Sequence, residues 1–171
     1  MTPAKARDAA YALALIVPAS LMGGALIAQY VFGLYPCEMC WWQRYPHIAA
    51  IVLAVLALAM KRGKGRVGGA GDLAASLAAI ATGLSGLIGA FHAGVEYGWW
   101  QGVTACATVG GSGASALDAI MNAPVIRCDV APWSLFGISL AGYNFLISLG
   151  GAVLVLALLG KGRKGRKGTF R

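Results

Sequence analysis

Apolar residues gather into four long stretches, roughly Ala9 to Phe32, Trp41 to Met60, Leu73 to Val95 and Trp133 to Leu159. Each reaches or approaches the ~20 residues that cross ~30 Å of hydrocarbon at ~1.5 Å per residue. The second is the least apolar at its start, where Gln43, Arg44 and His47 fall. The pattern predicts an all-α membrane protein, a single four-helix transmembrane bundle occupying 1–171. Lys5 and Arg7 ahead of the first stretch resemble the basic start of a secretory signal. That stretch is longer than a signal core of ~7–15 residues and three more follow it, so it is read as a retained helix.

Composition agrees. The chain is 58% hydrophobic and 12% charged, with a mean hydropathy of +0.70, whereas a soluble domain carries about 25% charged residues. Charge placement then orients the bundle. Two basic residues precede the first span (Lys5, Arg7), four lie between the second and third (Lys61, Arg62, Lys64, Arg66), and six fill the tail from Lys161 to Arg171. Arg44 and Arg127 alone remain for the other side. By the positive-inside rule both termini and the central loop are cytoplasmic, leaving outer loops at about 33–40 and 96–132. The net charge of +8 is thus a topology signal, with contact between the tail and the anionic lipid bilayer as a secondary role. Basic residues in short Gly-spaced flanks give no nucleic-acid surface.

All four cysteines fall on the outer side: Cys37 and Cys40 in the first loop, Cys106 and Cys128 in the second. In a bacterium, with this bundle in the inner membrane, that side is the oxidising periplasm, where disulfides persist. An even count with none elsewhere points to two pairs.

The first outer loop runs directly into the second helix. Pro36 disfavours helix for the residue before it, and Pro46 is expected close enough to the helix start to be tolerated. Trp41, Trp42 and Tyr45 read as belt aromatics. In the second loop, Trp99-Trp100 form another interfacial pair, Val109 to Ser115 has linker composition, and Ser115 with Asp118 suggests a capped short helix over 116–121. Gly83, Gly86, Gly89, Ala90 and Gly94 lie at helical spacing in the third span and read as a close-packing face.

Cys37-Glu38-Met39-Cys40 is the centre of the chemistry. A disulfide across two residues closes a tiny loop and restricts little chain entropy, so it is a poor staple. A tetrahedral metal site needs four donors, which Cys106 and Cys128 could complete, but an oxidising compartment works against free thiolates. Cys40 falls near a helix N-terminus, where the dipole favours a thiolate. These features favour a redox couple with no resident metal. Arg44 lies one turn beyond Cys40 on the same face. There it can stabilise that thiolate or hold a ligand carbonyl, the alternative being snorkelling to the headgroups. Between Cys106 and Cys128 stand 21 residues; a disulfide there would contribute ~3 kcal/mol, so structural and catalytic readings both stand. His92 and Glu96 share a face near the outer end of the third span, and His47 shares that of Arg44. Each fits a ligand or proton-handling role as well as a packing one.

These residues resemble the DsbB family of bacterial inner-membrane thiol oxidoreductases. The resemblance rests on Pro36-Cys37-x-x-Cys40 followed by Arg44, on His92, Glu96 and Cys106 in series, and on Cys128-Asp129 leading into Pro132-Trp133 and Gly137. It covers nearly the whole chain, including four spans and two outer cysteine pairs. The Glu38-Met39 spacer and Trp41-Trp42-Gln43 differ from the best-known member. The resemblance implies a relay: a reduced periplasmic DsbA-like thioredoxin-fold oxidase attacks Cys106–Cys128, Cys128 exchanges with Cys37, and Cys40 is released toward a membrane quinone, ubiquinone or menaquinone, beside Arg44 and His92. His47 is a further candidate for the quinone site. The rival readings are a non-catalytic membrane protein, a metal module or disulfide scaffold, and a partner-dedicated oxidoreductase of the same family.

Overall fold

A computed structural model of the chain describes residues 1–62, 69–104, 107–108 and 125–168. Four helices dominate it: α1 (Pro3–Tyr30), α2 (Glu38–Arg62), α3 (Ala70–Glu96) and α4 (Leu140–Gly168). All four are long and apolar enough to cross a membrane, so the chain is a multi-pass membrane protein. Each helix packs on its two neighbours in the order α1–α2–α3–α4 and back to α1, which leaves α2 diagonal to α4. Cys106, the linker-like stretch 109–115 and the expected helix at 116–121 lie outside the described residues.

Small residues face inward and large ones outward. The core is built largely of alanine, with Tyr11, Val155 and Leu159, while Leu73, Leu77, Ile80, Leu84 and Leu87 form an outer stripe of α3 that is 43–58% exposed. This inversion suits a bundle whose surroundings are as apolar as its leucines, where association depends on backbones approaching closely. The glycine face of α3 does this against α4. A Cβ at Gly83 would meet the Ala152 Cβ at 3.4 Å, one at Gly86 the Ser148 Cβ at 3.0 Å, and one at Gly89 the Ala141 carbonyl at 2.9 Å. Gly94 does something else: its missing side chain makes room for the Trp100 indole, whose Nε1 donates to the Phe91 carbonyl at 2.9 Å.

Two elements differ from the sequence expectation. The fourth helix begins at Leu140 rather than Trp133, because 134–139 fold into a hairpin of β3 (Ser134–Leu135) and β4 (Ile138–Ser139). Its two turn residues, Phe136 and Gly137, have φ of 51° and 76°, as a type I′ turn requires. Apolar content alone does not distinguish this hairpin from a first helical turn. Tyr97 pins it, its hydroxyl donating to the Gly137 carbonyl at 3.0 Å and accepting from the Ser139 N–H at 3.1 Å. Second, α2 begins at Glu38, so Pro46 sits more than two turns inside it. Without an N–H it leaves the Trp42 carbonyl out of the helical ladder. A further short pair, β1 (Ala107–Thr108) with β2 (Val125–Ile126), closes the base of the long loop.

The end opposite the thiols is tied by a buried carboxylate. Asp72 accepts from the Tyr11 hydroxyl at 2.7 Å and lies 3.8 Å from Arg163 Nε, joining α3 to α1 and α4. Paired and hydrogen-bonded, this carboxylate meets the condition for burying a charge.

Candidate active site

The thiol pair is built into the start of α2. Cys37 is the residue before Glu38, and its sulfur accepts from the Cys40 N–H at 3.3 Å, as an N-cap oxygen ordinarily would. Cys40 thus occupies the first turn, facing back at its partner. Both are free thiols, with Cys37 Sγ donating to Cys40 Sγ at 3.0 Å. Donation to Cys40, and after it burial, pushes the Cys37 thiol well above the ordinary cysteine range. In this hydrogen bond Cys37 is the donor and Cys40 the acceptor.

Each predicted residue can be placed around this pair, except Cys106. Cys128 is buried in the same cluster as Cys37, Met39 and Val95, and its sulfur accepts from the Thr104 hydroxyl at 3.2 Å. Beside it Arg127 grips Asp129 with two hydrogen bonds of 2.9 and 2.6 Å, which holds the Asp129 carboxyl below its usual range. His92 reaches the pair from α3, with Nε2 at 3.6 Å from Cys37 Sγ and 3.8 Å from Glu96 Oε1. Arg44 is 6% exposed and turned toward α1. It donates to Gln29 Oε1 at 2.6 Å and to the Ala25 carbonyl at 3.2 Å, and its guanidinium stacks 4.8 Å above the Trp41 ring. His47 is buried, its Nε2 at 2.9 Å from both Asn144 Oδ1 and Ser85 Oγ.

The dithiol forms a wall between two cavities. One, about 250 Å³, is lined by Cys40, Arg44, His47 and His92 and by small and apolar residues of α1 such as Leu21 and Ala25. The other, about 310 Å³, is lined by Cys37, Cys40 and His92 and by loop residues including Ile126 and Arg127. Cys37 touches only the loop-side cavity of these two, whereas Arg44 touches only the helix-side one. Electrons entering through loop thiols and leaving toward the bundle would pass through the wall itself.

Sequence reading missed Gln43 and Asn144, which tie the histidines together. Gln43 Nε2 lies 2.9 Å from His92 Nδ1, Gln43 Oε1 accepts from Asn144 Nδ2 at 2.8 Å, and Asn144 Oδ1 accepts from Ser148 Oγ at 2.7 Å. The available signal was an amide inside an apolar span, and polar groups there mark function by default.

The donor atoms of Cys37, Cys40 and His92 all lie within 4.8 Å of one another, as close as metal ligands sit. A fourth protein donor does not join this group among the described residues, and the hydrogen bonding of His92 bears on whether the three could ligate at all.

Comparison with known proteins agrees with this geometry. The family model for disulfide bond formation protein DsbB matches residues 7–158. Disulfide bond formation protein B of Acidovorax sp. (strain JS42) is 31% identical over 92% of this chain and 91% of its own length. The protein of that name from Chromohalobacter salexigens is 34% identical over 85% of this chain and 76% of its own. An uncharacterized protein of Rickettsia prowazekii is 25% identical over 73% and 72% respectively. No solved structure matches significantly. With four spanning helices, a thiol pair at the mouth of the bundle and a family match over most of its length, this chain belongs to the DsbB family of membrane disulfide-bond-forming oxidoreductases.

Proposed function

We propose that this protein reoxidises a soluble DsbA-like dithiol oxidase on the periplasmic side of the inner membrane and delivers the electrons to a membrane quinone. The observation that carries this reading is the dithiol wall, with Arg44 on its bundle side and loop residues on the other.

In the first exchange a partner thiolate attacks Cys106 of a Cys106–Cys128 disulfide, and Cys128 leaves as a thiolate. The second thiol of the partner displaces Cys106, so the partner departs with a disulfide and this loop holds two thiols. Cys128 then attacks Cys37 of a Cys37–Cys40 disulfide, expelling Cys40. Cys106 closes back on Cys128 and frees Cys37. The loop pair is oxidised again, and the helix pair now carries two electrons and two protons. Burial of Cys128 in one cluster with Cys37 supports this transfer, because exchange needs the attacking thiolate to reach a disulfide sulfur.

The helix-side cavity suits a quinone head group. Its volume of about 250 Å³ lies just below the ~300–1,000 Å³ typical of ligand pockets, as suits a head group alone. Its walls are mostly apolar, with one cation. Two donors of Arg44 are engaged by α1, which fixes the guanidinium plane and leaves further N–H groups to meet a carbonyl oxygen. A bound quinone supplies a two-electron acceptor that takes up two protons on becoming a quinol. Cys40, hydrogen-bonded by the Cys37 thiol and within Coulombic reach of Arg44, is the sulfur held as nucleophile. The test is direct: detergent-purified protein is mixed with a reduced DsbA-type partner and ubiquinone or menaquinone, and quinone absorbance is followed. Loss of absorbance with concomitant partner oxidation is expected; no reduction of either quinone would sink the proposal.

A further inference from the structure

The hydrogen bonds around His92 determine which of its nitrogens carries the proton. Gln43 Nε2 donates to the Met39 carbonyl at 3.1 Å. A backbone carbonyl only accepts, so that end of the Gln43 amide is the NH₂ group. The same nitrogen lies 2.9 Å from His92 Nδ1, which must therefore present its lone pair. The other end of the amide gives the same answer. Gln43 Oε1 accepts from Asn144 Nδ2, and Asn144 is oriented in turn by the Ser85 carbonyl, to which its Nδ2 donates at 3.2 Å. Two carbonyls that cannot flip thus orient two amides that otherwise could.

We propose that Gln43 is a positioning residue that locks His92 as its Nε2–H tautomer, aiming a hydrogen-bond donor at the dithiol. Two atoms able to accept lie nearest Nε2: Cys37 Sγ at 3.6 Å and Glu96 Oε1 at 3.8 Å. When Cys37 is freed as a thiolate during exchange with Cys128, this N–H is placed to hold its charge. The lock has a second consequence. A metal on Nε2 needs the lone pair there and the proton on Nδ1, which would set an N–H of His92 against the N–H of Gln43. The tautomer that serves thiol exchange is the one that disfavours a Cys37, Cys40, His92 metal trap.

The catalytic meaning of the lock rests on the relay proposed above, whereas the tautomer itself does not and is measurable with no quinone or partner present. The chain has two histidines, so ¹⁵N-histidine NMR of the reduced, detergent-solubilised protein gives two rings, and a His92→Phe sample identifies which is which. In the wild type, His92 is expected to show a protonated Nε2 and a bare Nδ1. Gln43→Glu, whose carboxylate accepts where the amide donated, moves a proton to Nδ1. Should that buried carboxylate prevent folding, Gln43→Met removes the donor without adding charge, and the two nitrogens then shift toward intermediate values. A wild-type His92 protonated on Nδ1, or the same His92 shifts in the wild type and the substituted proteins, overturns the proposal.

Discussion

Asn144 donates to Gln43 across the diagonal of the bundle, Nδ2 to Oε1 at 2.8 Å, between residues 101 apart in sequence. Neighbouring helices are held by glycine and alanine contacts as well as by polar ties such as Arg44 to Gln29, whereas the diagonal pair α2 and α4 is joined by these amides and by His47 with Asn144 at 2.9 Å. The pair lies on the wall of the helix-side cavity, so one set of hydrogen bonds ties the fold together and orients the site.

Replacing Asn144 should therefore cost both. Asn144→Ala strands Gln43 Oε1 and Ser148 Oγ, both in buried residues, and leaves His47 Nε2 with Ser85 Oγ. Leaving one buried polar group unsatisfied costs about 1–3 kcal/mol, so at least that loss is expected in denaturant titration of the solubilised protein. Asn144→Asp, which keeps the acceptor for His47 and Ser148, should recover part of it only if its carboxyl is protonated. An Asn144→Ala protein as stable as the wild type would show that water or rearranged side chains satisfy these groups.

The metal-module reading predicts stoichiometric zinc on the reduced chain, and the His92 hydrogen bonds predict weak uptake. Outer-sphere partners of metal-binding histidines change metal affinity by about 10–100-fold. Reduced Gln43→Glu should accordingly bind zinc or cobalt tighter than the wild type by about that factor, read by equilibrium dialysis against a competing chelator. Tight one-to-one zinc on the wild type would favour the module.

How much of this was legible beforehand follows from what kind of signal each feature leaves. Four spans, the thiol pair one turn from Arg44 and the glycine face of α3 are written in local composition and spacing; all appear in the fold, with the fourth span starting at Leu140 and Gly94 seating Trp100 instead of a helix. The hairpin at 134–139 was hidden because Trp133, Leu135, Phe136 and Ile138 are as apolar as a helix. Only Gly137 marked the turn, and a lone glycine in an apolar run has many readings. The roles of Gln43 and Asn144 were hidden for a different reason. A pairing across 101 positions leaves no periodicity, and only the expense of an amide within hydrocarbon hints that it has a partner. His92 was found by its place near Glu96, but its tautomer is a property of the assembled network.

Arg44 tests the helix-side cavity. Arg44→Lys keeps the charge but loses the planar fork that reaches Gln29 and Ala25 together, and the two side chains are not equivalent where such geometry is used. Apparent quinone affinity should fall for Arg44→Lys and further for Arg44→Met, with both cysteine pairs still able to oxidise. Michaelis constants for ubiquinone and menaquinone, alongside thiol counts, give the check. Unchanged constants in Arg44→Met would mean that the arginine only braces α1.

Removing Cys40 and Cys106 together should trap the exchange at its middle step. With Cys40→Ser and Cys106→Ser no third thiol remains to displace either sulfur of a Cys37–Cys128 bond, and those two sulfurs share one buried cluster. Mild oxidation should accumulate a Cys37–Cys128 disulfide, seen by mass spectrometry of non-reduced peptides. Adding Cys37→Ser should give no such species while still folding, since a serine oxygen can cap α2 where the sulfur did. A doubly substituted protein that keeps Cys37 and Cys128 as separate thiols under the same oxidation would show that transfer between the pairs takes another route.

The glycines of α3 offer a graded test of how closely the site depends on helix contact. A methyl at Gly83 would meet Ala152 at 3.4 Å, ordinary van der Waals distance, so Gly83→Ala should be tolerated. At Gly89 the same methyl would lie 2.9 Å from the Ala141 carbonyl and 3.0 Å from Asn144 Nδ2. Backbone cannot swing aside as a flexible side chain would, so α4 must move or Asn144 must give up Gln43. Overpacking of this kind costs about 1–3 kcal/mol. Because the same methyl would also meet Gln43 Oε1 at 3.2 Å, and Asn144 orients Gln43, Gly89→Ala should also disturb the His92 ring shifts. Gly86→Ala, at 3.0 Å from the Ser148 Cβ and 3.1 Å from the Leu149 nitrogen, should lower stability with a smaller effect on His92. Stability that falls alike for all three, with His92 unmoved, would separate helix packing from the site and show that the amide pair tolerates displacement of α4.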